Sequence, residues 1–544
     1  VGATELEQIA DAAWRDTARI AVAALARRPG TLGEAGRALA SALDPSASLP
    51  AGFTALAAHL AALAPEAVRP ALLDTLDWEL HTFRGGRKVE TSHRLERFEA
   101  DARAETIPHV APQPGFDADV MALDLTAPHS MGDLAHYANA YLGSTFVNDA
   151  IDHGRAVDVH NGTAQEAIAI MHARGVTVVH HLATPKLHFQ ILLGDDLRYA
   201  IACDDGPDMF KHLQKVLRAA RSARGGHVDP ERVRRFDHRT DEHGYRLQRF
   251  RRCFESSGAA IPRQVTVGFK NALLGALEAR AARAAQVRAL HAERSLPAEL
   301  EPVRELDPRE LFASAARCAW LDNTLARARA AGHQLAAAPR VRLAVVDGPD
   351  EFLDHSRLAY RDAHGERREV LLARNPYGEA ALAMGALFRE LGVADVLVYG
   401  TAASLDRAST VGELHLASRV TSPDGVAHDF ENRALDARFA AIHALPGTRL
   451  ASRVVNVRSP LDELDRDIER MRAEGHQLIE MELAGLVRGL HGGAARIAAV
   501  HVISDVPQSA DTLEGFSPVR AERALAAAVD VWIATFGIAE PELA

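Results

Sequence analysis

Three acidic side chains near the C-terminus, Glu480, Glu482 and Asp505, stand where an enzyme would keep a reaction centre. Glu480-Met481-Glu482 opens a helix-like run that continues to Leu490, and His501-Val502-Ile503-Ser504-Asp505 closes an apolar, strand-like run that begins at Ile497. Open α/β sheets bind their ligands at the carboxyl ends of strands, so acids at the ends of consecutive elements point to chemistry. A carboxyl held there out of water stays protonated, which suits general acid work on a leaving group.

Two further pieces precede these acids. Val396 to Leu405 reads as an apolar strand ending in the small residues Gly400-Thr401-Ala402-Ala403. Small residues let a backbone approach a ligand, and the Thr401 hydroxyl with neighbouring amides can hold an oxyanion or a water. Val411-Gly412-Glu413-Leu414 then turns into another strand. Taken singly, each piece has an ordinary explanation. Thr401 is a strand-to-loop residue, Glu480 and Glu482 complement a helix dipole, and Asp505 is a turn aspartate ahead of Pro507.

As an ordered set, the four pieces resemble the nucleoside phosphorylase / nucleosidase superfamily, over about residues 340 to 540. Its members show a strand ending in Gly-Ser/Thr-x-Gly, a Val-Gly-Asp turn, a Met-Glu pair opening a helix, and a strand ending in Ser-Asp. The resemblance implies cleavage of the N-glycosidic bond of a purine nucleoside or nucleotide. Under it, Glu482 accepts hydrogen bonds from the 2′ and 3′ hydroxyls of the ribose, and Met481 packs under the sugar. Asp505 donates a proton to, or hydrogen-bonds, N7 of the purine as the bond breaks, Thr401 touches the nucleophile, phosphate or water, and Glu480 orients that water in a hydrolytic member. Gly400, Ala403 and Ser504 complete the implied substrate-binding set. No cofactor and no metal are implied, and a homo-oligomer is.

The chain departs from that pattern in several places. Ala403 stands where the family has Gly, and Glu413 where it has Asp. The glycine-rich loop is replaced by Ala373-Arg374-Asn375-Pro376-Tyr377-Gly378. The family's first strand is not evident after 340. Phosphorolytic members of one branch carry Arg where this chain has Val398. A phosphate dianion wants an arginine-type partner, so hydrolysis is favoured over phosphorolysis, with Arg374, Arg419, Arg520 and Arg523 as substitutes if phosphate is used. The gaps leave a catalytically inactive nucleoside-binding sensor as the alternative.

The elements that must position these residues follow from texture. Residues 1–110 are rich in Ala, Leu, Glu and Arg with helix-period apolar positions such as Ile9, Ala12, Ala13, Ile20 and Ala23, and read as a mainly helical region. Residues 111–335 read as a small α/β domain with long helices: strands at 120–125, 157–160, 176–180, 187–193 and 197–203, a helix at 163–174, and helices at 211–223, 271–294 and 308–331. Gly194-Asp195-Asp196 marks a hairpin. Residues 336–544 alternate strands (341–346, 370–373, 396–399, 414–420, 497–503) with helices (378–391, 461–474, from 481, 518–536), which predicts a three-layer α/β/α domain with a mixed central sheet.

With 544 residues, two or three domains are expected. A net charge of −11 argues against a chain built to coat nucleic acid or an anionic membrane. No apolar run reaches the roughly 20 residues of a spanning helix. The acids in Val1 to Ala10 predict no export signal, and a cytoplasmic protein is expected. Three scattered cysteines argue against a disulfide framework or a structural zinc site. His153, His160, His180 and His181 near Asp149, Asp152 and Asp158 are read as coincidence in a chain of 26 histidines. The basic stretch from Lys211 to Arg252 is read as a salt-bridged helical face, so nucleic acid is not an expected partner.

Overall fold

The computed structural model describes residues 30–42, 110–130, 134–182, 189–225, 232–239, 241–255, 261–348, 353–435, 448–509 and 528–544, with a few isolated positions besides. Of the expected N-terminal helical region, helix α1 (Gly30–Ala42) is described, while Ala12, Ala13, Ile20 and Ala23 lie outside the described residues. The chain forms two compact units. One holds 1–242 together with Ser459–Leu464, and the other holds 243–458 with 465–544. Among the described residues no helix is long and apolar enough to cross a membrane.

In the first unit, strands β1 (Gln113–Pro114), β2 (Val157–Asn161), β3 (Val178–Leu182), β4 (Gln190–Gly194), β5 (Tyr199–Cys203) and β6 (Val233–Asp237) form one sheet in the order β1-β6-β2-β5-β4-β3. Strands β6, β2 and β5 run parallel, and β5, β4 and β3 alternate. The expected hairpin joins β4 to β5. After helix α2 (Leu134–Leu142), helix α3 (Ala164–Ala173) begins at a capping box in which Thr163 and Glu166 satisfy each other's backbone N–H. Its Ala167, Ile168 and Met171 pack on Leu192, Ala200 and Ala202. Helix α4 (Pro207–Ala223) follows β5. The strand expected at 120–125 is instead a short helix, Ala118–Ala122. Its apolar run is too short to override the helix-compatible Ala-Asp-Val-Met-Ala.

The second unit begins earlier than the expected boundary at 336. After helix α5 (Glu242–Glu255), strand β7 (Gln264–Gly268) enters the central sheet, and helices α6 (Lys270–Ala292), α7 (Pro308–Ala313) and α8 (Ala315–Ala330) follow it. Then come β8 (Val345–Asp347), β9 (His355–Asp362), β10 (Arg367–Ala373), helix α9 (Ala380–Glu390), β11 (Asp395–Ser404), β12 (Leu414–Thr421), β13 (Ala427–Asp429) and β14 (Arg449–Asn456). Helix α10 (Asp465–Ala473), β15 (Leu478–Glu480), helix α11 (Leu483–Leu490), β16 (Arg496–Asp505), helix α12 (Val529–Phe536) and β17 (Ile538–Pro541) complete it. The expected helix at 461–474 starts only at Asp465. Of the one expected at 518–536, the first part lies outside the described residues.

The sheet is mixed, as expected. Strands β10, β7, β11 and β16 are parallel neighbours. Strand β12 pairs antiparallel with β16 and parallel with β14, β14 pairs with β15, and β15 returns antiparallel to β11. Five strands therefore close a ring, β11-β16-β12-β14-β15. Two cores sandwich the sheet. On one face α9 and α11 pack on Val265, Val267, Leu371, Val396, Val398 and Ala402. On the other, α6 and α12 pack on Leu397, Tyr399, Val500 and Val502.

Candidate active site

Strand β11 changes neighbours at the residues that the sequence singled out. It pairs with β7 from Asp395 to Tyr399 and with β15 only at Ala403 and Ser404. Along that edge, Gly400, Thr401 and Ala402 are laddered to neither strand, while the other edge stays paired to β16. Below the gap, Gly268 ends β7 with φ +147°, and a Cβ there would meet the Tyr399 carbonyl oxygen at 1.8 Å. Only glycine fits that approach. Above the gap, β15 leads into Met481 and Glu482. The carboxyl ends of parallel strands beside such a break are where open α/β sheets bind ligands.

Asp505 is aimed by a bulge. Across the β11–β16 ladder, Ala402 is in register with Ile503, but Ala403 is in register with Asp505, and Ser504 is the extra residue. Side chains alternate faces along a strand, so an unbulged Asp505 would follow Ile503 toward α9 and α11. The bulge turns it instead to the face of Thr401 and Ala403. Burial pushes its carboxyl up to about 6, against the opposing pull of a hydrogen bond from the Ser504 hydroxyl at 2.5 Å. Ile479, in register with Ala403 on the other side, stands about two strand spacings, roughly 10 Å, from Asp505. Met481 packs into the same apolar cluster as Ala403, Val455 and Ile479.

Glu480 faces a different duty from Asp505. Its Oε1 accepts the Leu483 backbone N–H at 2.9 Å, and its Oε2 accepts those of Glu482 at 2.9 Å and Leu483 at 3.0 Å. Both oxygens thus cap α11 from two residues before its N-cap, Glu482. Burial raises its carboxyl to about 7, with these N–H groups and the Asn456 side chain pulling the other way. Glu482 itself is half-exposed at the helix start. The pairing therefore lines the gap with Gly400, Thr401 and Ala402, puts Ala403 in register with Ile479 just before Met481 and Glu482, sets Ser504 and Asp505 across the other edge of β11, and turns the Glu480 carboxyl into the helix terminus.

Strand β7 and Asn375 were not legible as parts of the site. Asn375, just past β10, lies over Gly400, its Nδ2 3.5 Å from where a Gly400 Cβ would sit. Its only sequence signal was the replacement of a glycine-rich loop. Arg374, half-buried, precedes it. Arg419 reaches Asp429 at 3.3 Å, and Arg520 and Arg523 lie outside the described residues.

The other sequence candidates do not gather. His160 contacts His238 at 3.1 Å, His181 contacts Gln190, and Asp158 binds Arg234 through two hydrogen bonds of 2.8 Å. Among the described residues no group of three or more His, Cys, Asp or Glu is placed to hold a metal ion. In the basic stretch, Arg218 donates to the carbonyls of Val120 and Leu123, Arg235 to that of Gly115, and Arg251 pairs with Glu390. These arginines bind within the fold.

Solved nucleosidases and nucleoside phosphorylases are what this chain is similar to. A uridine phosphorylase from Vibrio fischeri matches at 14% identity over 36% of this chain and 80% of its own, with a TM-score of 0.30. A 5′-methylthioadenosine/S-adenosylhomocysteine nucleosidase from Neisseria meningitidis matches at 15% identity over 36% of this chain and 90% of its own, with a TM-score of 0.29. The futalosine hydrolase of Helicobacter pylori matches at 14% identity, 36% and 88%, with a TM-score of 0.30. No family model and no curated protein matches the chain.

Proposed function

We propose that this protein cleaves the N-glycosidic bond of a purine nucleoside or nucleotide, with water rather than phosphate as the acceptor. The observation that carries the reading is Asp505, buried, held protonated up to about pH 6, and turned by the Ser504 bulge toward the face of Thr401. Bond breaking builds positive charge on the sugar and negative charge on the base. A proton donor at N7 lowers that barrier, and general acid assistance contributes about 10²–10⁴-fold. Glu482 anchors the ribose hydroxyls and supports the oxocarbenium-like sugar. Thr401 lies beside the reacting carbon, and Met481 gives the sugar an apolar floor. In this scheme Glu480 is a positioning residue, since it fixes the turn that presents Met481 and Glu482.

Water is favoured because Val398, at the position where phosphorolytic members carry Arg, is buried among the apolar side chains under α9 and α11. The test is incubation with adenosine, inosine, AMP and methylthioadenosine, with and without phosphate, followed by chromatography for free base. Base release independent of phosphate is the expected result. Release that requires phosphate removes the hydrolytic part, and binding without release replaces the enzyme with a nucleoside sensor.

A further inference from the structure

With both Glu480 oxygens bound to α11, the residue that handles the attacking water must be sought elsewhere, and the row of side chains level with Gly400 offers one. His501 on β16 is in register with Gly400 on β11 and with His415 on β12. Residues in register share a face, and here it is the α9/α11 face, because Ala402, Ala417 and Ile503 lie in that core. His501 is 1% exposed and His415 fully buried. Among the described residues neither ring nitrogen of His501 has a hydrogen-bond partner, nor does Asn375 Oδ1, whereas His415 Nε2 faces Glu413 Oε2 at 3.7 Å. His415 Nδ1 is held by Ser452 Oγ at 3.0 Å.

Buried polar atoms are almost always satisfied, so the bare His501 nitrogens and Asn375 Oδ1, both next to Gly400, mark a place for a small polar molecule. Gly400 has no side chain, so no β11 side chain stands between His501, its register partner, and Asn375, which lies over Gly400. Both imidazoles are held neutral by burial, His501 with help from His415 beside it, and His415 with help from the Arg449 charge against the opposing pull of Glu413 and Asp406. A neutral imidazole has a lone pair to take a proton, and it lacks the positive charge with which an arginine would hold a phosphate dianion.

We propose that His501 is the general base for the attacking water, with Asn375 holding that water over Gly400. This rests on the cleavage reading above and assigns its nucleophile side. Asp505 serves the leaving group and His501 the water, because displacement at an anomeric carbon needs attack and departure on opposite sides of the sugar ring. Three residues of strand, about 10 Å, separate the levels of His501 and Asp505 along β11. Water oxygen bonds to C1′ as the C1′–N9 bond breaks, and that bond's electron pair leaves with the purine. The Asp505 proton goes to the base, and the proton lost by water goes to the His501 ring.

The test compares wild type, His501→Gly and Asn375→Ala. Equilibrium binding of 7-deazaadenosine, which lacks the N7 acceptor, is measured beside base release from adenosine, with melting temperature as the folding control. His501→Gly is expected to bind within about threefold of wild type, to release base about 10²-fold or more slowly, and to regain rate when imidazole is added. Asn375→Ala is expected to slow release with no response to imidazole. Release by His501→Gly within about threefold of wild type overturns the assignment, as does a loss that imidazole leaves untouched. A wild type that binds 7-deazaadenosine yet frees no base from adenosine sinks the cleavage reading itself, before any variant is compared.

Discussion

Asp505 stands in register with Ala403 although Ile503, only two residues earlier, stands in register with Ala402. One looped-out serine thus decides which face of the sheet receives a buried acid. The consequences can be measured.

Asp505→Asn removes the proton donor but keeps size and hydrogen-bonding capacity. Base release should fall about 10²–10⁴-fold with melting temperature unchanged or higher, because a buried carboxyl is replaced by a group that never ionises. Chromatography of free base and a thermal melt settle it, and a fully active variant would falsify the acid assignment.

The acid form of Asp505 does the work, so the rate should fall as pH rises through about 6. The Ser504 hydroxyl favours the charged form. Ser504→Ala should therefore raise the carboxyl further and move the falling limb to higher pH, by up to about one unit. A limb that moves to lower pH would show that the serine acts differently.

Glu480→Ala leaves the N–H groups of Glu482 and Leu483 without acceptors in a buried place. A loss of about 2 kcal/mol in stability is expected, together with weaker nucleoside binding, since the Met481-Glu482 turn is no longer held. Denaturant melts and calorimetry read the two effects. Equal stability would mean that water replaces the carboxylate at the helix start.

The histidine pair and the two buried acids pull stability in opposite directions along the pH axis. His501 is lowered to about 3 and His415 to about 4 from an ordinary 6.5. The unfolded chain binds their protons first, so their contribution is present above pH 6.5 and is lost as pH falls toward 3. Asp505 and Glu480 are raised to about 6 and 7, so theirs is present below pH 4 and lost as pH climbs through those values. His501→Leu should flatten the acid-side loss between pH 6.5 and 3, read as the denaturant midpoint at pH 4.5 against 7.5. An unchanged profile would place the acid sensitivity elsewhere.

The mixed α/β architecture and the ordered motif were legible because apolar runs such as Val396–Tyr399 and Ile497–Ile503 carry their period openly. Strand β7 was not, because Gln264-Val-Thr-Val-Gly is short and lies between charged helices. Strands β9 and β14 hide for a similar reason: His355–Asp362 and Arg449–Asn456 mix charge into their alternation. The capping role of Glu480 was within reach of sequence, as acids gather at helix starts. The face of Asp505 was not, since a bulge exists only in the pairing of two strands. His501 and Asn375 gave no pattern of their own; only register brings them beside Gly400.

Strand β7 ends at Gly268, yet its partner β10 starts only at Arg367 and β11 at Asp395. A fragment cut at 336 would therefore lack the strand that joins the two halves of its sheet, and should be recovered as aggregate rather than as a domain. During synthesis the same strand emerges long before either neighbour, with both hydrogen-bonding edges open to any passing chain. Chaperone dependence in production is the practical mark of that delay.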